Sequence, residues 1–386
     1  MSKIEKLIKE LCPNGVEYKS IGELCNFQNG FAFKSNLFKS TGEIILRITN
    51  LDGKKISLED IKYFSLSDYS DLQSYLVKDN DIVIAMSGAT TGKIGINNTG
   101  KNLYLNQRVG KITPRGKNLN NKYLYHLLLS KSEYFYKLAG GGAQPNLSSE
   151  AIKNTKLPIP PLEVQEEIVR ILDKFGELEA ELEAELEARK SQYEFWCGKL
   201  LNNNECKIVK LGEVCSIKTG AKPKEVFEVG DYEYINAGTS KSGYCNETNS
   251  RGNCVTTPSR GQGGIGYVAF QNNDFWCGPL CYQIRTLSDD LINKYLYYYM
   301  FTNSDYITGL KHEGGVPAIN VKELQEMPIS CPSLKEQQRI VNILDKFDKL
   351  VNDISEGLPA EIEARRKQYE YYRNKLLSFK ELIVNE

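Results

Sequence analysis

Histidine is nearly absent from this 386-residue chain, with only His126 and His312. That scarcity removes most imidazole-based acid–base and metal-ligand arrangements at once. The ten cysteines include no C-x-x-C pair, and no apolar run approaches the roughly 18 residues of a membrane-spanning helix. The opening MSKIEKLIKELC is charged and lacks an apolar centre, so no secretory leader is expected, and the thiols are expected to be reduced in a cytoplasmic protein with no membrane partner. Net charge is also missing, 49 Lys and Arg against 49 Asp and Glu. The distribution is uneven, however. Residues 1–155 carry 21 basic and 14 acidic side chains, 156–201 carry 6 and 11, 202–326 carry 12 and 14, and 327–386 carry 10 and 10. The zero total argues against a bulk electrostatic nucleic-acid binder, the first stretch is basic, and any such surface in the second half must be a local patch.

What the chain does have is a duplication. The stretch 157–201, LPIPPLEVQEEIVRILDKF to EARKSQYEFWCGKLL, returns at 327–377 as MPISCPSLKEQQRIVNILDKF to EARRKQYEYYRNKLL, and ILDKF recurs at an offset of 172. Ahead of each copy lies a weaker repeat, IGELCNFQNG (21–30) with LGEVCSIKTG (211–220), and NKYLY occurs at 121–125 and 293–297. The order is globular unit, helix, diverged globular unit, helix. The period is too long for a solenoid. It predicts an α+β fold with an internal pseudo-two-fold repeat, divided at 1–156, 157–201, 202–326 and 327–386.

In the first helical repeat, Ile168, Ile171, Phe175, Leu178, Leu182, Leu186, Tyr193, Trp196 and Leu200 recur at spacings of mostly 3 and 4, which predicts one face of a helix of about 39 residues, roughly 58 Å long. Glutamates 177, 179, 181, 183, 185 and 187 are placed on the opposite face. Ile340, Ile343, Phe347, Leu350, Ile354, Leu358, Ile362, Tyr369, Tyr372 and Leu376 repeat the stripe, with four extra residues that include Gly357 and Pro359. A proline there predicts a kink or break near 355–359, with Pro359 starting a new segment. A single apolar stripe cannot bury itself, so the two helices are expected to pair antiparallel as a coiled coil.

The globular units read as mixed strands and turns. Expected strands are Glu43–Thr49, Asp81–Met86, Tyr104–Ile112, Tyr232–Asn236, Gly266–Ala269 and Leu280–Arg285, with helices at 121–137 and 293–301. Gly261-Gln262-Gly263-Gly264-Ile265-Gly266 satisfies G-x-G-x-x-G, but strand-like Tyr267–Phe270 follows where a dinucleotide fingerprint requires a helix. Gly88–Gly95 imitates a P-loop but is one residue short and has Ile94 in place of Ser or Thr. Cys245, Cys254, Cys277 and Cys281 fit no zinc spacing. The adenine-methyltransferase signature Asn/Asp-Pro-Pro-Tyr/Phe is absent. No catalytic site and no metal site are expected.

The two-fold layout, the helix openings PIPPLEVQEEIVRILDKF and PSLKEQQRIVNILDKF, and the ending EARRKQYEYYRNKLL resemble the specificity subunits of type I restriction–modification systems. The resemblance covers essentially the whole chain. It implies a non-catalytic, DNA-sequence-specificity subunit whose two target recognition domains each read one half of a split, asymmetric site in double-stranded DNA. The helices would act as a ruler and dock two methyltransferase subunits, with motor/nuclease subunits joining for restriction. No cofactor is expected in this chain, since S-adenosylmethionine, ATP and Mg would belong to the partners. The alternative from another class is a helical adaptor whose globular units bind protein. A self-sufficient enzyme is disfavoured by the missing motifs.

Side chains suited to phosphates and base edges, placed at strand ends, are the candidate readers. In the first unit they are Lys34, Arg47, Ser87, Thr90, Thr91, Lys93, Gln107, Arg108, Gln144 and Asn146. In the second they are Lys218, Lys222, Lys224, Arg260, Gln262, Tyr282, Gln283 and Arg285. Arg260 and Gln262 stand out because they flank glycine in the loop that corresponds to Ser87–Lys93.

Overall fold

The computed structural model describes residues 3–140, 145–202, 206–261, 263–312 and 316–382. It separates into a first unit, 1–180 with 364–386, and a second, 181–363. Each holds one globular part and portions of both helical repeats.

In the first unit, Cys25–Asn29, Val109–Pro114, Ile82–Ala85 and Ile94–Ile96 form a four-stranded sheet in that spatial order. A second sheet runs Lys62–Phe64, Glu43–Leu46, Leu103–Leu105, Leu76–Val77. The second unit repeats the first sheet as Cys215–Thr219, Cys281–Thr286, Cys254–Pro258, Ala269–Gln271, and the second as Gly243–Cys245, Tyr232–Ile235, Phe275–Cys277. The Glu43–Leu46 strand lies parallel to Leu103–Leu105, and Tyr232–Ile235 parallel to Phe275–Cys277. Topology has therefore been kept where the sequence has diverged.

Four expected elements differ. Glu43–Thr49 is strand only over Glu43–Leu46, and Ile48–Asn50 coils into a short 3-10 turn. Tyr104–Ile112 is two strands in two sheets, because Asn106 accepts from Val109 N–H across a turn (2.9 Å) that redirects the chain. Gly266–Ala269 becomes strand only at Ala269. The preceding Gly263 and Gly266 hold φ of 84° and 92°, and Gly266 packs so close to the Thr308 hydroxyl that a Cβ would stand 2.1 Å from it. The helix expected at 121–137 is Asn121–Ser130 followed by Ser132–Leu138, parted at Lys131.

The first helical repeat is one unbroken helix, Leu162–Leu201, of 40 residues. The second is Leu334–Asn352 and Leu358–Leu376. The break falls where Gly357 and Pro359 predict it, and the Asp353 carboxylate accepts from the N–H groups of Ser355 (2.7 Å) and Glu356 (3.2 Å). Within the first unit, Phe175 stacks on Tyr372 (5.5 Å between ring centres) and Glu179 pairs with Arg366 (2.6 Å), so these helical segments run antiparallel. Within the second, Tyr193 meets Phe347 at 6.3 Å. The glutamate face carries one correction. Glu179 is buried, 9% exposed, held by Lys54 Nζ (2.9 Å) as well as Arg366. Leu178, Leu350, Ile354 and Tyr372, expected in the two stripes, are exposed.

Each helix joins its globular part through a glutamine. Gln165 is fully buried. Its Nε2 donates to Asn118 O (3.0 Å) and Pro160 O (2.8 Å), and its Oε1 accepts from Asn120 N–H (2.9 Å). Gln337, 172 residues on, repeats all three bonds with Asp290 O, Pro332 O and Ile292 N–H. Tyr123 and Tyr295, also paired by that offset, donate to Pro158 O (3.2 Å) and Ser330 O (2.9 Å). Around these clamps the cores form from Val164, Ile168 and Leu172 against Ile84, Ile112 and Leu124, and from Ile340 and Leu344 against Val255, Ile284 and Leu296.

Candidate nucleic-acid interface

In both units the loop after the inner strand is pinned by the same backbone bonds. In the first, Gly88 N–H donates to Pro145 O (3.1 Å), Met86 N–H to Arg108 O (2.9 Å) and Leu147 N–H to Met86 O (2.7 Å). In the second, Gly261 N–H donates to Pro317 O (3.0 Å), Ser259 N–H to Leu280 O (2.9 Å) and Ile319 N–H to Ser259 O (2.9 Å). Ser87 bridges to Asn146 as Arg260 bridges to Ala318. Arg260 therefore occupies the place of Ser87. The frame is shared, and the residue at this place is a half-buried serine in one unit and an exposed arginine in the other.

Ser87, Thr90, Thr91, Lys93, Arg108 and Asn146 gather at this end of the first unit's sheet. Gln107, Arg108 and Asn146 are exposed and Lys93 is half-buried. The Ser87 and Thr90 hydroxyls are buried and have no hydrogen-bond partner among the described residues. Thr91 is committed instead. Its hydroxyl donates to Gly88 O (2.7 Å) and Pro145 O (3.2 Å), closing the turn. Lys34 is exposed. Arg47 donates to the Asp60 carboxylate (2.8 Å), and Arg47 with Lys62 holds that carboxyl below its ordinary range.

In the second unit Lys218, Lys222, Lys224 and Arg260 are exposed. Lys218, Gln283 and Arg285 share one face of the paired strands, with Lys218 opposite Gln283. Gln283 accepts from Ser250 Oγ (2.9 Å), and Arg285 donates to Gly252 O (2.9 Å) and to Arg251 O. Tyr282 points to the other face. It is 8% exposed and its hydroxyl donates to Ile319 O (2.9 Å), so it supports the loop frame from beneath. Gln144 and Gln262 lie outside the described residues. The glycine loop leads into strand, not helix, so it lacks the helix N-terminus on which a dinucleotide site depends. Cys254, Cys277 and Cys281 are buried with Phe275, and burial pushes the Cys254 thiol up to about 11.

Sequence reasoning missed Gln165 and Gln337. The signal was there, a glutamine at the same place in both helix openings, but a polar residue in a helix reads as surface.

The sequence profile of the type I restriction modification DNA specificity domain matches residues 13–188 and again 203–364. The chain belongs to this family. A Haemophilus influenzae protein named as a type I restriction enzyme specificity subunit is 31% identical over 402 residues, covering 97% of this chain and 98% of that one. The EcoR124I/EcoR124II specificity subunit of Escherichia coli is 34% identical over 290 residues, 67% of this chain and 70% of its own. The fold is shared with the crystal structure of a type I system S subunit from M. genitalium, with a TM-score of 0.61, 17% identity and coverage of 94% and 96%. A structure from work on assembly and conformational transition of the type I system gives 0.63, 18%, and 95% and 98%. The two matches to one profile account for the repeated sheets and clamps of this specificity-family chain.

Proposed function

We propose that the chain is the DNA-specificity subunit of a type I restriction–modification complex. Each globular part reads one half of a bipartite, asymmetric site, and neither cuts nor methylates. The observation that carries this is the paired loop, one backbone frame presenting Ser87 in one unit and Arg260 in the other. A reader of two identical half-sites has no use for that divergence. Arginine favours guanine edges in the major groove, whereas a serine hydroxyl is far less selective. Exposed Arg108, Gln107 and Asn146 support the first reader, and Lys218, Lys222 and Lys224 supply phosphate contacts for the second.

The helices are the docking surface for two methyltransferase subunits, with restriction subunits joining that core. Chemistry then belongs to those partners, which would bring S-adenosylmethionine, ATP and Mg. Base-resolution methylation mapping tests this in a methyl-free host expressing the chain with a cognate methyltransferase, against the methyltransferase alone. A new N6-methyladenine motif split by a fixed gap is expected. A soluble complex that adds no motif would instead favour an adaptor whose globular parts bind protein.

A further inference from the structure

A cleft of about 290 Å³ opens in the second sheet of the second unit, walled by Pro223, Lys224, Glu225, Phe227, Cys245 and Trp276. Backbone bonds give the counterpart of each wall in the first unit. Leu46 O accepts from Asn106 N–H (3.1 Å) and Ile235 O from Gly278 N–H (2.7 Å), which aligns the paired strands of the two units. Trp276 then stands for Tyr104, and Cys245 for Phe64. Phe31 N–H donates to Leu105 O (2.8 Å) as Ala221 N–H does to Cys277 O (3.0 Å), so Pro223 stands for Phe33 and Lys224 for Lys34.

In the first unit these places close around one ring. Tyr69 lies 5.4 Å from Phe31, 5.3 Å from Phe33 and 5.7 Å from Phe64, centre to centre, and its hydroxyl accepts from Lys34 N–H (3.0 Å). It arrives on the stretch 65–75, which joins the Lys62–Phe64 strand to Leu76–Val77. In the second unit Ser250 and Asn249 take the edge of Leu76–Val77, bonded to Phe275 and Cys277. The connection from Cys245 is thereby shortened to 246–248. The second unit keeps the floor and lacks the cover. Val226, Phe227 and Val229 are exposed, and no described residue accepts from Lys224 N–H.

We propose that this cleft binds a tyrosine side chain carried by a partner protein, in the place that Tyr69 fills within the first unit. The ring packs against Trp276 and Phe227, and its hydroxyl accepts from Lys224 N–H as Tyr69 does from Lys34 N–H. A phenylalanine fits less well, because covering that N–H without an acceptor costs it its bond to water. The occupant is a protein segment with apolar residues beside the tyrosine. A free phenol would leave Val226, Phe227 and Val229 in water, whereas the stretch 65–75 brings Leu72 and Tyr75 to the cluster along with Tyr69. DNA is disfavoured because the wall sets two carboxylates, Glu225 and Glu247, against Lys224. The inference does not rest on the function proposed above.

Trp276 is its own reporter, since the chain has only one other tryptophan, Trp196, and Trp196→Phe silences it. The full chain with that change is titrated with acetyl-Leu-Tyr-Leu-amide, with its phenylalanine analogue and with p-cresol, and the indole emission is followed. The tyrosine tripeptide is expected to give a saturable shift to shorter wavelength as water leaves the cleft. The phenylalanine analogue should bind about fivefold more weakly, the worth of one hydrogen bond, and p-cresol more weakly still. Phe227→Asp should abolish the response. Should Trp196→Phe fail to fold, the unaltered chain is read against Phe227→Asp, in which Trp196 is common to both. No saturable shift, or one that survives Phe227→Asp, overturns the proposal. Equal binding of the phenylalanine analogue overturns the part given to Lys224 N–H. A p-cresol affinity equal to that of the tripeptide, or displacement of the tripeptide by duplex DNA, overturns the protein occupant.

Discussion

The two units hold their helices identically at one point and oppositely at another. Gln165 and Gln337 make the same three bonds, so the helix start is registered to the sheet in the same way twice. Further along, four residues past the shared phenylalanine of ILDKF, the first unit has buried Glu179 between Lys54 and Arg366, and the second has buried Val351. Duplication preserved the bonds that set register. It released the contacts that merely fill the junction, and one junction became ionic while the other became apolar.

The glutamine clamps offer the largest effect. Gln165→Leu or Gln337→Leu strands two carbonyls and one N–H in the interior, and each should cost about 3 kcal/mol or more in urea denaturation, with hydrogen-exchange protection lost in the altered unit. Equal protection loss in both units would break the view that each clamp serves its own unit. Next is recognition. Arg260→Ala should cost about 1–3 kcal/mol of discrimination at one half-site and leave the other unchanged, read as relaxed methylation at that half. Relaxation at both halves would sink the two-reader account.

Acid should separate the junctions. In Glu179, burial pushes the carboxyl up, but Lys54 and Arg366 outweigh it and hold it below its ordinary value. Glu167, bonded to Arg170 and Lys3, is held down to about 2. Both carboxyls are depressed on folding, so their stabilisation is complete above the ordinary carboxylate range and is lost as pH falls from about 4.5 towards 2. The second unit has Arg339 and Val351 at these places. Amide protection in the first unit should fall before that in the second over this window. The smallest effect sits at the helix Ile21–Leu24, where Ser20 accepts from Glu23 N–H at 3.3 Å. Ser20→Ala should cost about 1 kcal/mol by thermal melting.

The repeat, both long helices and the break at Gly357–Pro359 were legible because periodicity and proline act locally. The correspondence of Arg260 with Ser87 was legible through the adjacent glycines. Tyr104–Ile112 was misread because a continuous apolar run does not say which sheet each half joins. The commitments of Thr91, Tyr282 and Arg285 depend on carbonyls of Pro145, Ile319 and Gly252, which only the fold brings near. For Glu179 the sequence showed only a place opposite the apolar stripe, for the same reason, since Lys54 is 125 residues away.

Val16 N–H donates to Lys380 O (2.8 Å), and Leu382 N–H returns the bond to Val16 O (2.8 Å). The first unit is thus assembled from two separated stretches, whereas the second is one continuous stretch, 181–363. On a ribosome, the part that begins first must finish last. Residues 1–180 emerge with the places of Tyr369 and Leu377 in their core unfilled, and these stay open while the whole of 181–363 is translated. A stop codon near 363 would therefore spare the later-made unit and leave the earlier one an exposed apolar wound, a ready substrate for chaperones and proteases.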